Sequence, residues 1–162
     1  MEKESMVYLT AMQDSLRSKR EILEKIFAIT RRQEEIISQT APDMERFEET
    51  LDAKAQLISQ MQELDAGFQS VYDKMKTDIE KNKQEYRPRI LEMQNLIRQM
   101  TELGVKIQAL EQKNKQKFEN FTSRKKQEIQ EFYTNSRTVG VYAQHMANQH
   151  QEWQSYFVDK KK

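Results

Sequence analysis

Two histidines, His145 and His150, stand five positions apart near Glu152 towards the end of the chain. Imidazole nitrogen and carboxylate oxygen form a donor set that zinc accepts. On one helix face, however, paired ligands favour a spacing of four, and no third rigid ligand stands nearby, so these are read as polar residues of a tail. The chain has no cysteine, which leaves no thiol nucleophile, disulfide framework or zinc knuckle. Gly67, Gly104 and Gly140 are isolated, so no glycine-rich loop cradles a phosphate. Carboxylates are abundant but fall on faces that read as solvated. Only Asp65 and Glu111 come close to an apolar seam, in register with Lys19, and a buried polar layer that fixes helix alignment is the expected role. Leu64 and Leu110 flank these charges and are expected to hold the core, leaving the carboxylates at its edge. No catalytic, cofactor-binding or metal-ligating residue is predicted, and the chain is not expected to be an enzyme.

What these residues sit on is helical. In residues 44–86 the positions Met44, Phe47, Leu51, Lys54, Ile58, Met61, Asp65, Phe68, Tyr72, Met75, Ile79, Asn82 and Tyr86 alternate three and four apart. All but three are apolar or aromatic, which is the seam of a packed helix. Folding the preceding segment back at Pro42 sets Leu9 opposite Met75, Met12 opposite Tyr72, Leu16 opposite Phe68, Leu23 opposite Met61, Ile26 opposite Ile58 and Ile37 opposite Phe47. The polar interruptions pair as well, Lys19 with Asp65 and Thr30 with Lys54, and Gln33 is a further polar break in the first seam. Thr40, Pro42 and Asp43 suit a short turn that starts a helix. Pro88 is expected to end the second helix near Arg87 and open the third. A fold-back there places Gly104 beside Tyr72, with room for the ring, Phe121 beside Lys54, and Asn114 in the layer of Leu23 and Met61. The third helix carries a double seam, with Met93, Leu96, Met100, Leu103, Ile107 and Leu110 beside Ile90, Ile97 and Gly104. The fold expected is all-α: an antiparallel up-down-up three-helix coiled bundle over residues 1–135. Its helices run at about 3–39, 43–86 and 88–134, and the middle one is the partner shared by the other two.

Composition narrows the function class. Of 162 residues 33% are charged and 36% hydrophobic, which suits long exposed helices. The net charge of +1 supplies no long-range pull towards nucleic acid, and the basic clusters at Arg31-Arg32 and Arg124-Lys125-Lys126 are interleaved with Glu and Gln. Nothing approaches the ~20 apolar residues of a membrane span, and the N-terminus reads as no signal peptide. The expectation is a cytoplasmic chain, without membrane insertion or nucleic-acid binding, that is a monomer or weak oligomer.

The character changes in residues 134–140, built of helix-weak residues ending in Gly140. Beyond it, residues 136–162 form a flexible amphipathic tail in which Val139, Tyr142, Met146, Gln149, Trp153 and Phe157 fall near one face if it becomes helical. Two readings stand: a short fourth helix packed on the bundle, or a segment that folds on a partner. On the second, Val139, Tyr142, Met146, Trp153, Tyr156 and Phe157 are the partner-binding residues.

Two stretches carry a family resemblance. Phe47-Glu48-Glu49-Thr50-Leu51-Asp52-Ala53-Lys54-Ala55-Gln56-Leu57-Ile58 runs into Leu64-Asp65-Ala66-Gly67-Phe68, and Lys106-Ile107-Gln108-Ala109-Leu110-Glu111-Gln112-Lys113-Asn114 follows in the third helix. With the ending Phe157-Val158-Asp159-Lys160-Lys161-Lys162, the chain resembles the FlgN family of flagellar export chaperones over most of its length. The resemblance implies binding of hook-associated (hook–filament junction) proteins before secretion, protection of their helical ends from early assembly, and delivery to the export gate of the flagellar type III apparatus. It also implies that clients bind the C-terminal part. Family members often have Asn followed by small and apolar residues, whereas here Lys115-Gln116-Lys117-Phe118 follow Asn114, so no binding role is carried over to Asn114. Two rival classes stand: a general coiled-coil adaptor or scaffold, which uses its seams to oligomerise, and a DNA- or membrane-surface binder, against which the net charge of +1 argues.

Overall fold

The computed structural model describes residues 2–125. Among them are three helices and no strand: α1, Glu2–Ile37; α2, Met44–Lys81; and α3, Lys83–Arg124. The 136–162 tail, the 135/136 boundary and the expected extension of α3 to residue 134 lie outside the described residues.

Each helix buries one stripe with alternating spacings of three and four. On α1 the stripe is Leu9, Met12, Leu16, Lys19, Leu23, Ile26, Thr30, Gln33 and Ile37. On α2 it runs from Phe47 to Met75 through every position of the expected seam. The α3 stripe is Met93, Ile97, Met100, Gly104, Ile107, Glu111, Asn114, Phe118 and Phe121, with Gln94 and Leu96 also buried beside it. Such stripes form because residues three and four apart share a helix face, so burying one face removes the whole series from water.

α2 begins one residue after its cap. Asp43, rather than Thr40, is the N-cap, and its carboxylate accepts from the Arg46 N–H at 3.2 Å. The pairs Ser5–Asp78, Lys19–Asp65 and Gln33–Lys54 show that α2 runs antiparallel to α1. Ser5–Asp78 and Lys19–Asp65 fit the fold-back at Pro42, whereas Lys54, expected opposite Thr30, bonds Gln33 one turn further along α1.

The second reversal differs from expectation. The helix breaks at Asn82 and not at Pro88, which sits inside α3. The Asp78 carboxylate explains the choice: it accepts from Ser5 Oγ at 2.6 Å, Asn82 Nδ2 at 2.7 Å and Tyr86 Oη at 3.0 Å. One acidic residue thus ties the start of α1, the break and the first turn of α3. These hydrogen bonds, that from Ser5 foremost, hold the Asp78 carboxyl below its ordinary range. Pro88 lacks the N–H that would bond the Gln84 carbonyl, a loss confined to the exposed second turn of α3.

The earlier break moves α3 by ten positions against α2. Lys54, expected beside Phe121, meets Glu111 instead, a shift of roughly 15 Å along the helix. Gly104 is buried, but the shift takes it away from Tyr72, so room for that ring is not its reason. Asn114 likewise leaves the layer of Leu23 and Met61 and bonds the Thr30 carbonyl at 3.0 Å.

The shared helix is α1, not α2. α1 packs along both neighbours, whereas the backbones of α2 and α3 come close at few points and meet through long side chains, Lys54 with Glu111 and Phe47 with Phe118. Arg89 donates to Thr10 at 2.8 Å and Gln13 at 3.0 Å, Gln13 donates to Glu92 at 2.9 Å, Arg20 to Gln99 at 3.0 Å, and Lys117 to Ser38 at 2.7 Å. That near-constant offset makes α3 parallel to α1. Buried Gln13 and Ile22, with half-buried Tyr8, Phe27, Ile29 and Ile36, widen the α1 stripe on both flanks. On α2 the residues on either side of the stripe are mostly exposed, and a helix with one narrow stripe has little left for a second neighbour.

Candidate functional site

The aromatic residues expected to bind a partner, Val139, Tyr142, Met146, Trp153, Tyr156 and Phe157, all lie outside the described residues, as do His145, His150 and Glu152. What the described residues do contain is buried charge in two places.

Lys19 and Asp65 meet at 2.5 Å, with side chains 2% and 9% exposed. Burial lowers the Lys19 ammonium to about 8, and the Asp65 carboxylate offsets part of that fall. Leu16, Leu23, Met61 and Phe68 surround the level of the pair and belong to one apolar cluster with Met12, Tyr72, Met93, Ile97 and Met100. Asp65 is thus within the core while Leu64 is only half-buried at its side. That reverses the expected placement, in which the leucine held the core and the charge its edge.

The second place is larger. Lys54 Nζ contacts Glu111 Oε1 and donates to Gln33 Oε1 at 3.0 Å. Thr30 Oγ1 donates to the Ile26 carbonyl at 2.7 Å and lies 3.4 Å from the same Glu111 oxygen. Asn114 Nδ2 closes the group on the Thr30 carbonyl. All five side chains are buried, and they come from all three helices. Glu111, predicted near Asp65 and Lys19, belongs to this layer; it is buried and Leu110 half-buried. Sequence reading missed the layer as a unit, although Thr30, Lys54 and Gln33 were visible as polar breaks in apolar seams.

Burial pulls the Lys54 ammonium down to about 7, and a lysine perturbed in this way is a feature of active sites. Access decides the matter. Lys54 is 1% exposed and lines neither of the two surface grooves described below, so a substrate cannot reach its nitrogen. The layer is structural. Among the described residues no group of three or more His, Cys, Asp or Glu could hold a metal ion.

Beyond the layer is a second apolar cluster: Ile37, Phe47, Leu51, Phe118 and Phe121, with Ile36 and Met44 at its margin. The Phe47 and Phe118 rings stack at 5.5 Å between centroids. On the outer side of α1 and α2 at this end, an open groove of about 870 Å³ is lined by Ile29, Ile36 and Ala53 among Arg32, Arg46 and Glu49. A smaller groove of about 640 Å³ at the other end is lined by Tyr8, Lys74, Asp78, Lys81 and Tyr86. Both mix charges of either sign, so neither selects a strongly charged ligand. No described helix is long and apolar enough to cross a membrane.

Comparison with known proteins supplies what this geometry does not. The family model described as FlgN protein matches residues 6–145 of the chain. The match takes in α1 from residue 6 and all of α2 and α3, and it extends past Val139 and Tyr142 but ends before Met146, Trp153, Tyr156 and Phe157. No curated protein and no solved structure matches.

Proposed function

The chain belongs to the FlgN family, and from that premise we propose that it is a cytoplasmic chaperone of flagellar type III export. It binds hook-associated proteins of the hook–filament junction, keeps their helical ends from assembling early, and aids their delivery to the export gate, whose cytosolic domain is a second partner. The observation that carries this reading is the family match over residues 6–145. Consistent with a binding protein, the buried layer that holds Lys54 is closed to substrate and joins three helices.

The client surface is assigned to the tail, on Val139, Tyr142, Met146, Trp153, Tyr156 and Phe157. Aromatic side chains lose few rotamers when fixed, and a few such anchors carry most of the binding energy in many interfaces. Titration of purified hook-associated proteins into the full chain tests the function: saturable binding is expected, and its absence with each of them overturns the chaperone reading. Replacing Trp153 and Phe157 with Ala should weaken binding by about 2 kcal/mol or more while leaving helicity unchanged. Undiminished binding would remove Trp153 and Phe157 from the site, and binding that survives truncation after Thr138 would move the site onto the bundle. Truncation after Thr138 separates the remaining possibility, because a collapse of helicity would make the tail a structural helix.

A further inference from the structure

The Lys54–Glu111 layer divides the apolar core. On α1, Thr30 and Gln33 stand between Ile26 of the larger cluster and Ile37 of the smaller; on α2, Lys54 stands between Ile58 and Leu51; on α3, Glu111 and Asn114 stand between Ile107 and Phe118. No seam carries apolar contact through this level, because each is polar at the same height. Apolar burial is what makes helix ends cooperate with a distant core, and hydrogen-bonded polar groups exchange for water at little net cost. Beyond the layer, among the described residues, five buried apolar residues hold three helix ends together, helped by exposed contacts such as Lys117 with Ser38.

We propose that the end of the molecule formed by residues 36–51 and 115–124 opens as its own cooperative unit, with the Lys54–Glu111 layer as its boundary, while the larger cluster stays closed. Opening uncovers Phe47, Leu51, Phe118 and Phe121 together, an aromatic surface that is sealed in the closed form. The layer makes this possible in a way the Lys19–Asp65 pair does not: that pair is enclosed by a single cluster which continues on both sides of it.

Native-state hydrogen exchange on the full chain, followed by mass spectrometry at increasing low urea, tests the boundary. Amides in 47–51 and 115–121 should exchange roughly ten-fold or more faster than those in 61–72 and 93–107, sharing one urea dependence among themselves. Uniform protection in both sets overturns the proposal. Fraying of α3 alone, with 47–51 protected like 61–72, overturns it too. In Lys54→Met/Glu111→Leu the difference should close, whereas in Lys19→Met/Asp65→Leu it should persist; a folded layer variant that keeps the full difference counts against the boundary. Phe118→Ala gives a further measurement should the layer variant fail to fold. It should speed exchange in 36–51 and leave 93–107 unchanged, and an equal loss everywhere refutes the idea.

Discussion

Lys19 with Asp65 and Lys54 with Glu111 are both buried ion pairs between helices, yet they act on the core in different ways. The first spans two helices, and one apolar cluster closes around it. The second recruits Thr30, Gln33 and Asn114, spans three helices, and leaves an apolar cluster on each side. A lone pair is absorbed because its neighbours still touch past it. A complete layer is not, because no neighbour remains to do so. What separates two parts of a helical protein is thus whether every seam is polar at one level, rather than how much charge is buried.

The largest effects come from removing one partner of either pair. Asp65→Ala and Glu111→Ala should each lower the unfolding free energy by about 3–5 kcal/mol, because each leaves an ammonium buried without its carboxylate. Urea melts measure this. A loss near zero for Glu111→Ala would mean that Gln33 alone satisfies Lys54. Replacing both partners, as Lys54→Met/Glu111→Leu, should restore most of that loss or exceed the wild type, since removing both charges also removes their desolvation cost.

Core truncations sharpen the contrast. Met100→Ala should cost about 2–5 kcal/mol of global stability. Phe118→Ala removes a larger side chain, but its loss should fall mainly on the smaller cluster, so the main melting transition should move less than for Met100→Ala. Equal shifts in the thermal melts would make the two clusters one.

The pH dependence tests the same two pairs without a substitution. Burial brings Lys54 to about 7 and Lys19 to about 8 in the folded chain, while an unfolded lysine keeps its proton to about 10.5. Between these limits the unfolded state binds more protons, so stability rises with pH, and it is lost as pH falls through the folded values. Urea melts at pH 7 and pH 9 should show this rise, and Lys54→Met/Glu111→Leu should show less of it while keeping the Lys19 part. An undiminished rise would exclude Lys54 as a source. The smallest effect belongs to Gly67, beside the Lys19–Asp65 level. A Cβ there meets nothing within 4 Å, so Gly67→Ala should stabilise by up to ~1 kcal/mol through helix propensity alone. A loss in the thermal melt would show that the glycine has a packing role.

The legibility of this molecule follows its connections. The α1–α2 register, including Lys19 opposite Asp65, was readable because a short turn at Pro42 leaves a repeating seam few ways to pair. The α3 register was not, because Pro88 is a louder signal than Asn82. The residues that settle the break, Asp78, Ser5 and Tyr86, act through side-chain hydrogen bonds that spacing does not reveal. From that misplacement came the wrong neighbour for Lys54 and the choice of α2 as the shared helix. The apolar residues flanking the α1 stripe, Ile22 and Phe27 among them, were the available clue to the contrary. For the candidate site, the polar breaks at Thr30, Gln33 and Lys54 were visible, but their union with Glu111 depended on the α3 register. The tail residues Trp153 and Phe157 lie outside the described residues.

Because α1 is the helix that both others need, the order in which the chain leaves the ribosome matters. Once residue 81 has emerged, α1 and α2 can form a hairpin with Lys19 already against Asp65 and Lys54 held only by Gln33. Glu111 is synthesised thirty residues later, at translation rates of about 5–20 residues per second. For a few seconds at most, the nascent hairpin carries the Lys54 amine without its carboxylate, and the arrival of α3 along α1 is what completes the molecule.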